Sequence, residues 1–441
     1  MQSADNPAGA APWPRPSRGW LIAGLLALAS VVSQADRVVL NLMVEPVKAE
    51  FNLGDTGFGA LQGVAFGVFY TLCAIPLGRM ADRFPRKTLI SICITLWSLF
   101  AMGSGLARSF GQLFATRVGV AVGEASLTPS GLSMLSDMFP PDRLGRPISV
   151  FLMSAPVGMG LAYIFGGQLL SVLEASTGAD GRGFGGLEPW QAAFVIVGAP
   201  GLLLVPLFLL MREPERRGAG ARVPLSVREV FVVVAERRAA LIPMLTGFSM
   251  VQLVSFAYNI WTPALFIRTH GYTAAEIGVS FGLVLLTCGT TGVYAGGWLS
   301  DRLARAGALD AQLKVAAFGF VGCGVLGTCA ALAPSAGVAL ALLCPAIFLS
   351  NMPYACAGTA LQLIIPNRAR GQVTALYIML TTLVGLVVGP MVVGLMTDHL
   401  FRDPADIKYS LAIVVGVPAP IMFTLLMLAR RPFRELRQAM A

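Results

Sequence analysis

The sequence predicts an all-α integral membrane protein, with twelve transmembrane helices in two pseudo-symmetric six-helix bundles. Three observations carry that prediction. Only 12% of the 441 residues are charged and 56% are hydrophobic, with a mean hydropathy of +0.72, whereas a soluble domain carries about 25% charged residues. Apolar runs long enough to cross a bilayer, which takes about 20 residues, recur twelve times. A short polar signature that closes the second run returns at the end of the eighth.

Taken in order, residues 1–18 form a Pro-rich polar tail with Arg15 and Arg18. The run that follows is too long for the apolar core of a signal peptide and lacks a clear small-x-small cleavage site, so a retained first helix is expected. The spans are 19–44, 57–78, 88–106, 111–136, 147–171 and 191–211, then 240–267, 275–299, 314–333, 335–361, 371–397 and 409–430. They divide into an N-terminal bundle (19–211) and a C-terminal bundle (240–430), joined by a linker (212–239) and followed by a tail (431–441). The linker is rich in Arg, Glu, Pro and Gly, and its stretch 225–235 suits a short surface helix.

Basic residues assign the sides. With both termini in the cytoplasm, 24 of the 32 Lys and Arg fall in inner segments and 6 in outer ones; Arg37 and Arg117 lie within spans. Topology follows this bias, so a multi-pass protein of a cytoplasmic membrane with both ends inside is expected. The net charge of +9 is therefore accounted for by loops, and no aromatic-basic interleaving suggests nucleic acid. The seven cysteines fall inside apolar runs without metal or CxxC spacing, and His270 and His399 are isolated, so no metal site is expected. No Walker A run and no nucleophile–base pair is present, which leaves a gradient as the energy source and argues against an enzyme or a cofactor.

Four ionisable residues stand inside the spans: Asp36, Arg37, Arg117 and Glu124. A charge at membrane depth costs about 2.5–3.5 kcal/mol on insertion scales and marks a solute or ion path. At 1.5 Å per residue, Asp36 lies ~24 Å beyond Trp20, and Arg117 lies ~9 Å inward from the opposite start near Gly111. The two are at similar depth, so Asp36 pairs with Arg117 or is shared between Arg37 and Arg117. Glu124, seven residues on, shares a face with Arg117 and has no opposite charge close by in its own helix. A carboxyl able to load and release a proton at mid-membrane is what proton coupling requires, so Glu124 and Asp36 are the expected coupling carboxyls, with Arg117 and Arg37 as their tuning or substrate-binding partners. The bland alternatives are that Glu124 binds a backbone amide or Ser126 and braces helices, that Asp36 forms a structural ion pair, that Arg117 holds an anionic substrate, and that Arg37 snorkels to the outer surface.

The halves look duplicated. Gly78-Arg79-Met80-Ala81-Asp82-Arg83 recurs as Gly297-Trp298-Leu299-Ser300-Asp301-Arg302, and Pro141-Asp142-Arg143 as Pro366-Asn367-Arg368. Two related bundles around a midplane site is a transporter plan. Small residues and prolines in helices five and eleven, among them Pro156, Gly158, Gly160, Gly389 and Pro390, suit bending or close packing. Polar and aromatic residues of the second half, Tyr258, Asn259, Trp261, Thr287, Asn351, Tyr354 and Tyr377, are candidates for a facing cavity wall, or serve as interhelical hydrogen-bonding groups.

Gly78-x-x-x-Asp82-Arg83-x-x-Arg86-Lys87, with Pro85 at the usual glycine position, resembles the loop motif of the major facilitator superfamily. Asp36-Arg37, the run Arg117–Ser126, Pro156-Val157-Gly158-Met159-Gly160, Trp190–Phe194, Arg212-Glu213-Pro214 and Trp261-Thr262-Pro263 are similar to the spinster-type transporters in their bacterial branch. Anion–cation symporters of the same superfamily share the Asp-Arg in helix one and the Gly-Glu-Ala in helix four. The resemblance implies helices one and four lining a central cavity, and Asp82 pairing with the opposite bundle above a basic collar of Arg83, Arg86 and Lys87. Asp301 and Arg302 would be the weaker second copy of that gate. It implies secondary transport of a lipid-like or other amphiphilic small molecule by a monomer in a bacterial inner membrane. An organic-anion/proton symporter and a non-transporting membrane receptor or sensor are the rival readings.

Overall fold

A computed structural model of the chain describes residues 13–140, 143–178, 183–216, 227–366 and 369–439. Residues 1–12, the Pro141-Asp142 and Asn367-Arg368 pairs of the second repeat, Arg182, Arg217 and Arg222 lie outside the described residues.

The first bundle comprises α1 (Pro16–Leu42), α2 (Asp55–Arg83), α3 (Arg86–Ser104), α4 in two pieces (Phe110–Glu124 and Leu127–Met138), α5 (Gly145–Ala175) and α6 (Pro189–Leu210). The second comprises α7 (Arg238–His270), α8 (Ala274–Arg305), α9 (Ala311–Ala331), α10 (Ala336–Ile364), α11 (Arg370–Phe401) and α12 (Pro404–Ala439). Among the described residues eleven helices are each long and apolar enough to cross a membrane. The fourth expected span is the exception, since its pieces have only 15 and 12 residues. Its break at Ala125–Ser126 has a local cause: Pro129 has no N–H to give the Ala125 carbonyl and its ring crowds that group. In the linker, Val227–Glu236 forms a short helix, whose Val230, Val233 and Val234 rest on the core while Phe231 is exposed.

Within the first bundle, α1 packs along α5, and α3 along both α4 and α6. Gly119 and Gly123 bring α4 onto α3: a Cβ on Gly123 would stand 2.7 Å from the Trp97 nitrogen. The second bundle repeats the scheme, with α7 along α11 and α9 along both α10 and α12. The two repeated loop-motif glycines take matching seats, Gly78 facing Pro129 of α4 and Gly297 facing Ala355 of α10.

The bundles meet along two seams, α2 with α11 and α5 with α8. Both seams are tightest at the end opposite the basic loops, called the far end below. A Cβ on Gly59 or Gly63 would lie 2.8 and 2.9 Å from the carbonyls of Pro390 and Val387, and one on Gly282 would lie 2.6 Å from that of Gly160. Such approach admits no side chain, so backbone packs on backbone as in other membrane helix contacts. Both α2 and α11 widen into π-helical turns where they touch, over Leu61–Val68 and Val384–Val388. A π turn loosens the regular ladder, and such turns concentrate at functional sites.

Candidate functional site

Two buried ion pairs join α1 to α4. Arg117 Nη1 donates to Asp36 Oδ2 at 3.0 Å, and both side chains are almost wholly buried. Arg37 Nε donates to Glu124 Oε2 at 2.8 Å, and its Nη2 reaches the same oxygen. Adjacent residues on α1 point about 100° apart, so Asp36 and Arg37 address different levels of α4, and the long arginine arms bridge the rest.

This pairing corrects one expectation. Arg37 does not snorkel outward; it turns inward, because Glu124 offers a buried carboxylate within reach. Glu124 accordingly has a close opposite charge, supplied by another helix. Asp36 is held by Arg117 rather than shared.

Aromatic faces complete the cluster. The Arg37 guanidinium lies 4.3 Å from the Phe66 ring centroid and 5.4 Å from that of Tyr70. Arg117 lies 5.9 Å from Phe66 and 5.9 Å from Phe194. A ring's negative face takes a desolvated guanidinium well. Glu124 Oε1 and Asp36 Oδ1 accept no hydrogen bond from the described residues. Each carboxylate therefore keeps an oxygen that can take a proton while the other holds its arginine.

On the far-end side of these pairs lies a small cavity of about 40 Å³, bordered by Arg37, Asn41, Gln62, Phe66, Asn259 and Leu386 among others. Its roof crosses the bundles. Asn41 Nδ2 donates to Tyr163 Oη at 3.0 Å, Gln62 donates to Asn41, and Tyr163 donates to the Asn259 carbonyl.

The far end is closed by a latch that the sequence did not disclose. Arg268 of α7 grips Asp55 of α2 with both terminal nitrogens, at 2.7 and 2.8 Å, and Glu45 through Nε at 2.7 Å. Lys48 also binds Asp55. From α11, Asp398 accepts the Asp55 and Thr56 amides at 3.0 and 2.7 Å, capping α2; a carboxylate is favourable there because the first amides of a helix are unpaired and the dipole is positive. The one available signal was the acidic pair at two span ends, Asp55 and Asp398. Arg268→Ala leaves the fully buried Asp55 carboxylate with Lys48 alone. We expect it to open the far end: in a cysteine-free background, Thr56→Cys reacts with an impermeant maleimide at least ~10-fold faster when Arg268 is removed, since ~1.4 kcal/mol shifts such an equilibrium tenfold.

At the basic end the loop motif is partitioned. Arg86 departs from the expected collar: it is fully buried, bound to Asp137 of α4, to Glu213 Oε1 at 3.0 Å and to the Ser133 hydroxyl at 3.0 Å. Burial follows because α3 starts at this residue and five acceptors from α4 and the segment after α6 converge on it. Lys87 caps α6 through the Leu209 and Met211 carbonyls, at 3.1 and 3.0 Å. Asp82 and Arg83 are exposed, and among the ion pairs of the described residues none joins Asp82 to the second bundle. Its carbonyl accepts from Arg216 instead. Asp301 and Arg302 are exposed too, with Arg302 over the Trp298 ring at 5.4 Å. In the second bundle Asp310 binds Arg430 at 2.5 Å and Lys314 at 3.1 Å, pinning the end of α12.

The proposed cavity wall separates into groups. Asn259 borders the cavity. Trp261 is fully buried in the far-end seam, donating to the Pro390 carbonyl at 3.1 Å and meeting Phe58 edge-on. Tyr258 points into the second bundle, where its hydroxyl stands against Gly327 of α9; it is a packing residue because α7 presents that face to α9. Tyr354 bonds Gln252 of α7, and Tyr377 meets Phe248 edge-on. Asn351 donates back to the Ile347 carbonyl at 2.8 Å, and the exposed Thr287 to that of Leu283 at 2.7 Å.

Comparison with known proteins adds family. A Major Facilitator Superfamily profile matches residues 26–390. The chain is 29% identical to an MFS-type efflux pump of Mycolicibacterium smegmatis, over 88% of this chain and 86% of that protein. It is 28% identical to protein spinster homolog 1 of Homo sapiens, over 88% and 75%. Among solved structures, a bacterial homolog of the human lysosomal transporter spinster, inward-facing and unoccupied, superposes with a TM-score of 0.80 at 24% identity, covering 96% of this chain and 98% of that one. A D-xylose–proton symporter shares the fold at a TM-score of 0.68 and 16% identity, over 92% and 97%. Six helices and six, the repeated loop motif and a profile match over most of its length lead to one conclusion: the chain belongs to the Major Facilitator Superfamily and is a membrane transporter, not an enzyme.

Proposed function

We propose that this transporter is proton-coupled and moves an amphiphilic or lipid-like solute by alternating access. One observation carries the reading: Glu124, buried between the α1 and α4 arms of the first bundle, keeps one oxygen without a protein partner while the other holds Arg37. Protonation of Glu124 releases the charge that fixes Arg37, and the Asp36–Arg117 pair beside it responds to the change. The bundles 19–211 and 240–430 then rock about the seams, opening the far end as the latch of Asp55, Arg268 and Asp398 parts. The basic end is the cytoplasmic side of a bacterial inner membrane, both termini lie there, and a monomer suffices.

The similarity to spinster proteins and to an efflux pump supports an amphiphilic cargo, and the shared fold of a D-xylose–proton symporter is consistent with proton coupling. A second reading, an organic-anion/proton symporter, gains from Arg37 bordering the cavity, where an anionic group would meet it. Arg117 is the poorer anchor for a substrate, enclosed by Asp36, Phe66 and Phe194.

The test is transport in proteoliposomes under an imposed pH gradient, with a fluorescent lysophospholipid and a fluorescent dicarboxylate as probes. Gradient-dependent movement of the lysophospholipid is expected. Movement of the dicarboxylate alone establishes the second reading, and indifference of both fluxes to the gradient refutes proton coupling.

A further inference from the structure

Phe66 stands where two parts of the machine meet. Its ring, buried in the first bundle, lies under the Arg37 guanidinium at 4.3 Å, beside that of Arg117 at 5.9 Å, and stacks on Tyr70 at 5.6 Å and 18°. Its backbone belongs to the π-helical stretch of α2 that abuts the π-helical stretch of α11. The flanking glycines make that contact: a Cβ on Gly67 would lie 2.8 Å from Leu386 Cβ, and one on Gly63 2.9 Å from the Val387 carbonyl. Phe66 and Leu386 also share the cavity wall. The residue thus touches both arginines on one side and rides on the α2–α11 seam on the other.

We propose that Phe66 is a positioning residue that ties the Glu124–Arg37 pair to closure of the α2–α11 seam. The inference rests on the proton-coupled reading above. Glu124 faces Arg37 and Asp36 from α1 and Arg117 from its own helix, with Tyr70 of α2 beside Arg37 and Cys93 of α3 behind Gly123. Among the described residues no hydrogen bond or ion pair joins these groups to α11. When Glu124 is charged, Arg37 is held between carboxylate and ring. When Glu124 is neutral its carbonyl oxygen can still accept from Arg37 but the ion pair is gone, so the ring carries a larger share of the hold on the guanidinium and movement of Arg37 is passed to α2 through Phe66. The loosened π ladder lets that stretch shift without unwinding the helix.

The test reads conformation directly and needs no substrate. Spin labels at Glu50→Cys, in the connection before α2, and at Asp403→Cys, just after α11, both exposed at the far end, report the separation of the far ends of α2 and α11 in the full, otherwise cysteine-free chain in lipid nanodiscs across a pH series. The background protein should switch between two distance populations with pH. Phe66→Leu, and Phe66→Met should the first fold poorly, should move the midpoint by at least about one pH unit, a tenfold change in the coupled equilibrium; Phe66→Tyr keeps the aromatic face and should restore it. A Leu or Met variant that tracks the background midpoint overturns the proposal, as does a Tyr variant that behaves like Leu. Glu124→Gln in the same background separates the two readings. If it is flat with pH while Phe66→Leu matches the background, only the role of Phe66 fails; if the background itself ignores pH, proton coupling through Glu124 fails and takes this inference with it.

Discussion

Arg117→Ala is expected to destabilise the protein by about 3–5 kcal/mol, the cost of leaving a buried carboxylate without its partner. Arg117 has no exposed surface, and among the described residues Asp36 is its single ion-pair partner. Nothing else near Asp36 can replace it, because Arg37 is committed to Glu124. Phe66 and Phe194 would also lose the cation that fills the space between them. Arg117→Lys keeps the charge but not the planar fork, so it should recover part of the loss. Removing both charges together, Asp36→Asn with Arg117→Gln, should cost less than Arg117→Ala alone, since a neutral pair is cheaper to bury than an isolated ion. Thermal unfolding in detergent checks the order: Arg117→Ala least stable, the lysine variant and the double variant above it.

Much of this architecture was legible in the sequence, for physical reasons. Lipid demands long apolar runs and basic loops on one side, so spans and bundles could be read from composition alone. Depth arithmetic put Asp36 opposite Arg117 because helix rise is fixed. What the sequence could not express was side-chain direction. Arg37 and Glu124 differ in depth, and only the reach and rotation of an arginine closes that gap. Arg86 reads as a loop cation because its acceptors come from distant parts of the chain. The latch of Asp55, Arg268 and Asp398 depends on how two bundles meet, which no local pattern encodes. Tyr258 and Trp261 were placed on a cavity wall by depth, but helix rotation turned one into the second bundle and the other into the seam. The break in α4 has its signal in Pro129, which the apolar run around it obscures.

Glu124→Gln is expected to have the largest effect on function. Glutamine keeps the shape and can still accept from Arg37 through its amide oxygen, so folding should be little changed. It cannot take up or release a proton in the relevant range, so Arg37 stays in the state it has beside a neutral Glu124 and no longer cycles. Accumulation driven by a pH gradient should fall by roughly 10²-fold, the scale seen when a group dedicated to proton transfer is removed. Exchange of labelled for unlabelled substrate needs no net proton movement and should survive.

A paired measurement in proteoliposomes holding wild type or Glu124→Gln tests the coupling most directly: gradient-driven uptake of the fluorescent lysophospholipid, and its counterflow without a gradient. The expected result is counterflow in both and gradient-driven uptake in wild type only. Equal response of both proteins to the gradient would show that the buried carboxyl on α4 does not carry the coupling proton.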